Sequence, residues 1–203
     1  MYTKIILCIV QFFSTFSYAQ NLPPRPVMQT ADKIYHHAIQ HKETTSSVIA
    51  VVDYELSSNQ PRMWVIDMKT HTVLENVHVA HGRNSGNIYA ETFSNQPRSL
   101  KSSIGVFKTG HSYFGIHGKS IRLNGLEPGI NDNAYDRGIV IHGAYYIHDT
   151  HYAHDNIRHN GRSFGCPAVS PNTMKALNQH LKPGSLFIAY YPDHYWLKHS
   201  KYL

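Results

Sequence analysis

From Ser46 to His148 the chain is a succession of short apolar runs cut by Gly, Pro, Asn and Asp. "SSVIAVVDYEL" and "RMWVIDM" are rich in β-branched residues and are joined by the turn-forming "SSNQP". "TVLENVHVAHG" alternates Val73, Glu75, Val77 and Val79 against its neighbours and stops at Gly82. Runs of this length and period predict strands, and the first three predict a β-meander. "IGVFKTG", "HGKSIRLNGL" and "RGIVIHGAYYIH" add three more, and "SLFIAYY" near the C-terminus adds a final buried strand. The expected fold is mainly β, a sandwich or barrel-like sheet pair.

Two segments read as helix. "QTADKIYHHAIQHK" carries a short stripe of Ala31, Ile34, Ala38 and Ile39, with Thr30 or Asp32 as its cap, after a Pro-rich spacer "NLPPRPV" expected to be extended. The second starts with Ser170 as N-cap and Pro171 as first residue, buries Met174, Leu177 and Leu181, and is stopped by "KPG". His37 and His41 have the i, i+4 spacing of a metal pair, but no third ligand is evident and a solvated face is the reading preferred.

The N-terminus has the form of an export signal. Lys4 is followed by the apolar "IILCIVQFFSTF", and Ser17 and Ala19 precede an expected cut at Ala19–Gln20. The apolar run is short of the roughly 20 residues of a spanning helix, so no stable membrane anchor is expected after cleavage. The expected division is 1–19 signal, 20–45 spacer and helix, 46–195 catalytic domain and 196–203 tail. The expected location is the periplasm or the cell-wall space of a bacterium.

Cleavage removes Lys4 and Cys8, leaving 18 of the 19 basic residues against 13 acidic ones. Apolar residues make up 41% and charged residues 16%, which excludes a disordered chain. Mild basicity with 16 histidines favours acidic partners. The Lys and Arg residues form no basic run and no recognition motif, so nucleic acid is not an expected partner. Oligomeric state is not legible.

The mature chain keeps one cysteine, Cys166, in "GRSFGCPAVSP". It can form no internal disulfide, and an unpaired cysteine in an exported protein points to a reactive thiol or an intermolecular bridge, with a merely buried residue as the bland alternative. A cysteine nucleophile needs a base, a fixed tautomer on that base, and donors for an oxyanion. Gly165 allows close backbone approach, and Pro167 stiffens the loop beyond the thiol. His142, at the end of the apolar strand "GIVIHGAYY", is the best candidate base, with a core histidine at a strand end as the equal alternative.

"IHGAYY" followed by "GRSFGCPAVSP" resembles the active-site signature of the L,D-transpeptidase (YkuD-type) catalytic domain family, in its subgroup with Gly-Cys-Pro-Ala. The likeness runs from about Val48 to Tyr191. It implies that Cys166 is the nucleophile attacking a peptidoglycan stem peptide and His142 the base. By the same likeness the carbonyl of Gly143 orients the histidine, and Ser163, Phe164 and Gly165 form the loop that shapes the oxyanion hole. Tyr145, Arg137 and Arg162 are candidates for substrate contact, although Arg137 and "NDN" (131–133) also read as structural turn residues. No metal, ATP or other cofactor is implied. Two departures stand out: the commonest form of the family has His where this chain has Phe164, and an apolar residue then Arg or Asn where this chain has Pro167 and Ala168.

Between His142 and Cys166 lies a polar insert with His148, Asp149, His151, His154, Asp155 and His159. Its spacing matches no closed zinc motif, and a lid over the cleft is the reading preferred. His81, His111 and His117 also sit beside glycines or in turns, and the sequence does not select among them. Three function classes compete: a Cys–His acyl transferase (or a carboxypeptidase on the same scaffold), a His-rich wall- or metal-binding module, and a Cys hydrolase of the NlpC/P60 type. The last has its cysteine ahead of its histidine, the reverse of the order here.

Overall fold

The structure, a computed structural model, describes residues 22–148 and 163–203. Eight strands form one mixed sheet in the order β3-β2-β1-β8-β4-β5-β6-β7. They are β1 (Val48–Asp53), β2 (Met63–Asp67), β3 (Thr72–Val77), β4 (Gly105–Gly115), β5 (Gly118–Gly125), β6 (Val140–Gly143), β7 (Ala168–Val169) and β8 (Leu186–Tyr190). The meander β1–β2–β3 is antiparallel throughout, as its alternating sequence requires. β8 inserts in parallel beside β1, and β7 runs parallel to β6.

The central strands are apolar on both faces because both are covered. Ile49, Val51, Trp64, Ile66, Val106, Leu186 and Ile188 pack under the N-terminal helix α1 (Arg25–Gln40), whose Val27, Ala31, Ile34 and Ala38 complete that core. The alternate residues, among them Val52, Val65, Phe107 and Phe187, join Ile121, Ile141 and Val169 from the far end of the sheet and Met174 and Leu177 of α2 (Pro171–His180). A single cluster reaching from β2 to β7 means that the sheet curls over on itself.

Backbone bonds close the curl. The chain leaving β3 gives Ala80 N–H to Ala168 O at 2.8 Å, and Gly82 bridges Ser163. Buried Arg62 holds this closing segment, its guanidinium donating to the carbonyls of Val79 and Leu56 and lying 2.8 Å from His81 Nδ1. The expected sandwich is therefore made by one sheet folded over.

Four details differ from the sequence reading. First, α1 begins at Arg25, inside the Pro-rich segment read as extended; Pro26 lies in the first turn, where its missing N–H has no helical partner to lose. Second, β4 runs five residues past Gly110, and with β5 makes a hairpin whose tip exposes Phe114 and Ile116. Third, residues read as tail enter a helix α3 (His194–His199), capped by Asp193 and anchored by buried Trp196. Fourth, the Trp196 indole donates to the buried carboxylate of Glu127 at 3.1 Å, as does the Ser200 hydroxyl.

Asp53, at the end of β1, is 2% exposed, and burial pushes its carboxyl up to about 6. Because the folded value lies above the ordinary one, the associated stability is present below about pH 4 and is lost as pH rises through about 6. Asp53→Asn is expected to match the wild type at pH 4 and to exceed it by about 2 kcal/mol at pH 7.5 in urea titrations.

Candidate active site

β6 carries His142, and the loop leading into β7 carries Cys166, the two candidate catalytic residues. In the parallel register of the two strands His142 pairs with Ala168 and Gly143 with Val169, which sets Cys166, two residues before Ala168, diagonally across from His142. Just beyond, Ser170 Oγ accepts from Thr173 N–H at 3.0 Å and α2 begins, as its capping sequence requires.

His142 is 4% exposed, and its Nδ1 lies 3.0 Å from the carbonyl of Gly143. With Nδ1–H donating there, the tautomer is set and Nε2 is left with a lone pair. A second ring covers the first: His117, at the β4–β5 tip, stacks on His142 with centroids 4.2 Å apart and planes at 22°. Burial lowers the His142 imidazole below its ordinary value, and His117 adds to this, while the bond to Gly143 opposes it.

The half-buried Cys166 thiol donates to Gly138 O at 3.7 Å. Burial pushes it above its ordinary value, against the pull of the Val140 N–H and the cations Arg137 and Arg122. Among the described residues no hydrogen bond joins Cys166 to His142. The resting pair is thus a neutral thiol in the loop before β7 and a neutral imidazole on β6.

The loop before the thiol is braced from within. Ser163 Oγ donates to Cys166 O at 2.5 Å and accepts from Gly165 N–H at 3.1 Å. That occupies the Gly165 amide, and leaves the amides of Phe164 and Cys166 without a protein partner among the described residues. Gly165 has φ +120°, and a Cβ there would meet the Lys101 carbonyl at 2.8 Å. Gly165→Ala is expected to destabilise the fold by about 1–3 kcal/mol and to slow any reaction at Cys166, read from the thermal midpoint and the rate of thiol modification.

Phe164 is 67% exposed, with the Arg83 guanidinium 4.7 Å above its ring. Tyr145 is 87% exposed. Arg137 lies close enough to Cys166 to act on its charge, but its Nη atoms donate to Ser94 O, Ser103 Oγ, Ser99 Oγ and Lys101 O. It fastens the 94–103 segment against the thiol loop, the structural role that its sequence neighbourhood also allows. Arg162 and the insert from Asp149 to His159 lie outside the described residues. His148 is exposed, and no group of three His, Cys, Asp or Glu among the described residues could hold a metal.

Sequence reasoning missed Tyr146, whose hydroxyl is held above its ordinary value by burial and by the nearby Cys166, and the Val140 amide. It named His117 without selecting it, because nothing in a hairpin's local pattern shows what its tip folds over. A cleft of about 470 Å3 opens next to the ring stacked on His142, lined by His117, Lys119 and Gly143 on one side and by Pro171, Met174, Lys175, Asn178 and Gln179 of α2 on the other.

Residues 20–190 match the model of the L,D-transpeptidase catalytic domain family, and the chain belongs to that family. No curated protein matches it. Among solved structures, an L,D-transpeptidase from Mycobacterium smegmatis is 13% identical, with a TM-score of 0.45 over 72% of this chain and 59% of that one. A C-to-S mutant of the Enterococcus faecium L,D-transpeptidase is 14% identical, with a TM-score of 0.45 over 71% and 50%. L,D-transpeptidase 3 from Mycobacterium tuberculosis, in complex with a faropenem-derived adduct, is 12% identical, with a TM-score of 0.44 over 71% and 60%. The chain thus spans half to three fifths of the length of these proteins.

Proposed function

We propose that this protein is an exported peptidoglycan L,D-transpeptidase that uses Cys166 as nucleophile and His142 as base. The observation that carries the reading is the tether of His142 Nδ1 to the Gly143 carbonyl, one strand away from the chain's lone mature cysteine. It leaves Nε2 free to take a proton. The likeness of "GRSFGCPAVSP" to the Gly-Cys-Pro-Ala subgroup supports the same assignment.

In this reading the stem-peptide carbonyl enters beside Cys166. Nε2 of His142 removes the thiol proton as sulfur attacks, and the unpaired amide of Cys166 receives the oxyanion. The C–N bond breaks, the leaving amine takes the proton from His142, and a thioester remains. An acceptor amine then reverses the sequence: its nitrogen bonds to the acyl carbon, the C–S bond breaks, and its proton returns through His142 to sulfur. Water in place of the amine would give a carboxypeptidase. No metal takes part in any of these steps.

Intact-mass analysis of the purified protein with a tetrapeptide-stem muropeptide tests the reading. A tripeptide-acyl adduct on Cys166, formed equally with and without EDTA and discharged to crosslinked product by an amine, is expected. Discharge to free tripeptide alone would reassign the protein as a hydrolase. Absence of any adduct would overturn the reading.

A further inference from the structure

We infer that the cleft between the β4–β5 tip and α2 is the amine-side subsite of this centre, and that it selects amines carrying a carboxylate through Lys119 and Lys175. The inference rests on the proposed transpeptidase reading. The cleft borders the base through two of its neighbours: His117, stacked on His142, and Gly143, the acceptor for His142 Nδ1, both line it. Leaving and incoming amines must each exchange a proton with the same imidazole nitrogen, so both approach the acyl carbon from the same side. Whatever is attached to either amine then extends along the space next to His142.

The chemistry of that space is one-signed. Lys119 comes from β5 and Lys175 from α2, so the two lysines line the cleft from different elements. Among the described residues neither is in an ion pair, and no Asp or Glu lines the cleft. Asn178 is already committed, its Oδ1 to Ser112 Oγ at 2.8 Å and its Nδ2 to Met174 O at 2.8 Å. Among the described lining residues Lys119, Lys175 and Gln179 are therefore left to recognise a ligand beside Pro171 and Met174, and of these only the lysines carry charge. An amine whose own carbon bears a carboxylate, as in a free D-amino acid leaving group or an acceptor residue with a free carboxyl, fits that pattern; its amide does not. Ala168, fully buried beside His142, offers no polar group for this purpose.

The test is a competition. The acyl-enzyme is offered equal D-alanine and D-alaninamide, and product masses are compared for the wild type, the Lys119→Gln/Lys175→Gln double variant, and Lys198→Gln on α3 as a control. The wild type and the control are expected to favour D-alanine by about fivefold, an advantage that shrinks in 1 M salt. The double variant is expected to acylate more slowly from a tetrapeptide stem, whose leaving D-amino acid carries a carboxylate, and to show a ratio near one in the discharge step. Both lysines are exposed, so the fold is expected to hold. A wild-type ratio near one, or an unchanged ratio in the double variant, overturns the subsite.

A second measurement does not depend on turnover: amide shifts of Gly118 and Gly143 are followed by NMR as D-alanine or its amide is added. Stronger shifts with D-alanine, lost in the double variant, support the subsite even if no acyl-enzyme forms. Equal shifts with both ligands overturn it. Failure to acylate in the wild type overturns the transpeptidase reading instead.

Discussion

Cys166→Ala protein is expected to fold normally and to lose acyl-enzyme formation entirely, a fall on the order of 10⁴-fold or more in transfer rate. The stability side of this expectation follows from the contacts. Among the described residues the sulfur gives only a long hydrogen bond to Gly138 O, and the loop around it is held by the Ser163 hydroxyl and by Gly165 against Lys101, none of which involves the thiol. The chemical side follows from the loop's donors. With sulfur gone, the backbone amides of residues 164 and 166 remain, so non-covalent binding of a stem peptide should survive while no covalent adduct forms. Intact mass and circular dichroism of the same sample check both halves together. An adduct on the variant would place the nucleophile elsewhere.

The fold was legible where the sequence is local and periodic. Strands β1 to β3 follow from alternation, and α2 follows from Ser170, Pro171 and the Met174–Leu177 stripe, because each feature acts within a few residues. What was not legible is non-local. The start of α1 at Arg25 runs against the extended reading of its prolines, and it is favoured by Val27 and Ala31 packing on β1 and β8. Trp196 looks like one more aromatic in a polar tail until Glu127, 69 residues away in sequence, is brought beneath it. The closing bonds from Ala80 and Gly82 to Ala168 and Ser163 likewise join segments that no sequence period connects.

The site divides in the same way. Cys166 and His142 are conspicuous in the chain because each has a glycine beside it at a strand or loop end. Their surroundings are supplied by distant elements: His117 from a hairpin tip, the Lys101 carbonyl from the segment before β4, and Tyr146 from the turn after β6. One histidine in sixteen had to be chosen to cover His142, and only the length of the β4–β5 hairpin decides which.

His142→Gln is expected to cost about 10³-fold in acyl transfer while leaving alkylation of Cys166 almost unchanged, and the contrast between the two is diagnostic. Gln keeps a hydrogen-bonding group on β6 but cannot cycle a proton, so both the attack by sulfur and the discharge by an amine slow. Alkylation by iodoacetamide depends on thiolate already present. Burial holds the Cys166 thiol above its ordinary value, and His142 is not hydrogen-bonded to it, so alkylation should be slow at pH 7 and climb through pH 9 with or without the histidine. A preformed thiolate–imidazolium pair would behave oppositely, alkylating fast near neutral pH and losing that speed in the variant. The pH profile of wild-type transfer adds an independent check. His142 is lowered by burial and by His117, so it stays neutral and competent below the ordinary imidazole value of 6.5, and the acid limb should fall there. His117→Phe keeps a stacked ring but removes the neighbouring charge, so it should move that limb toward higher pH; a shift in the other direction would mean that His117 supports the imidazolium rather than opposing it.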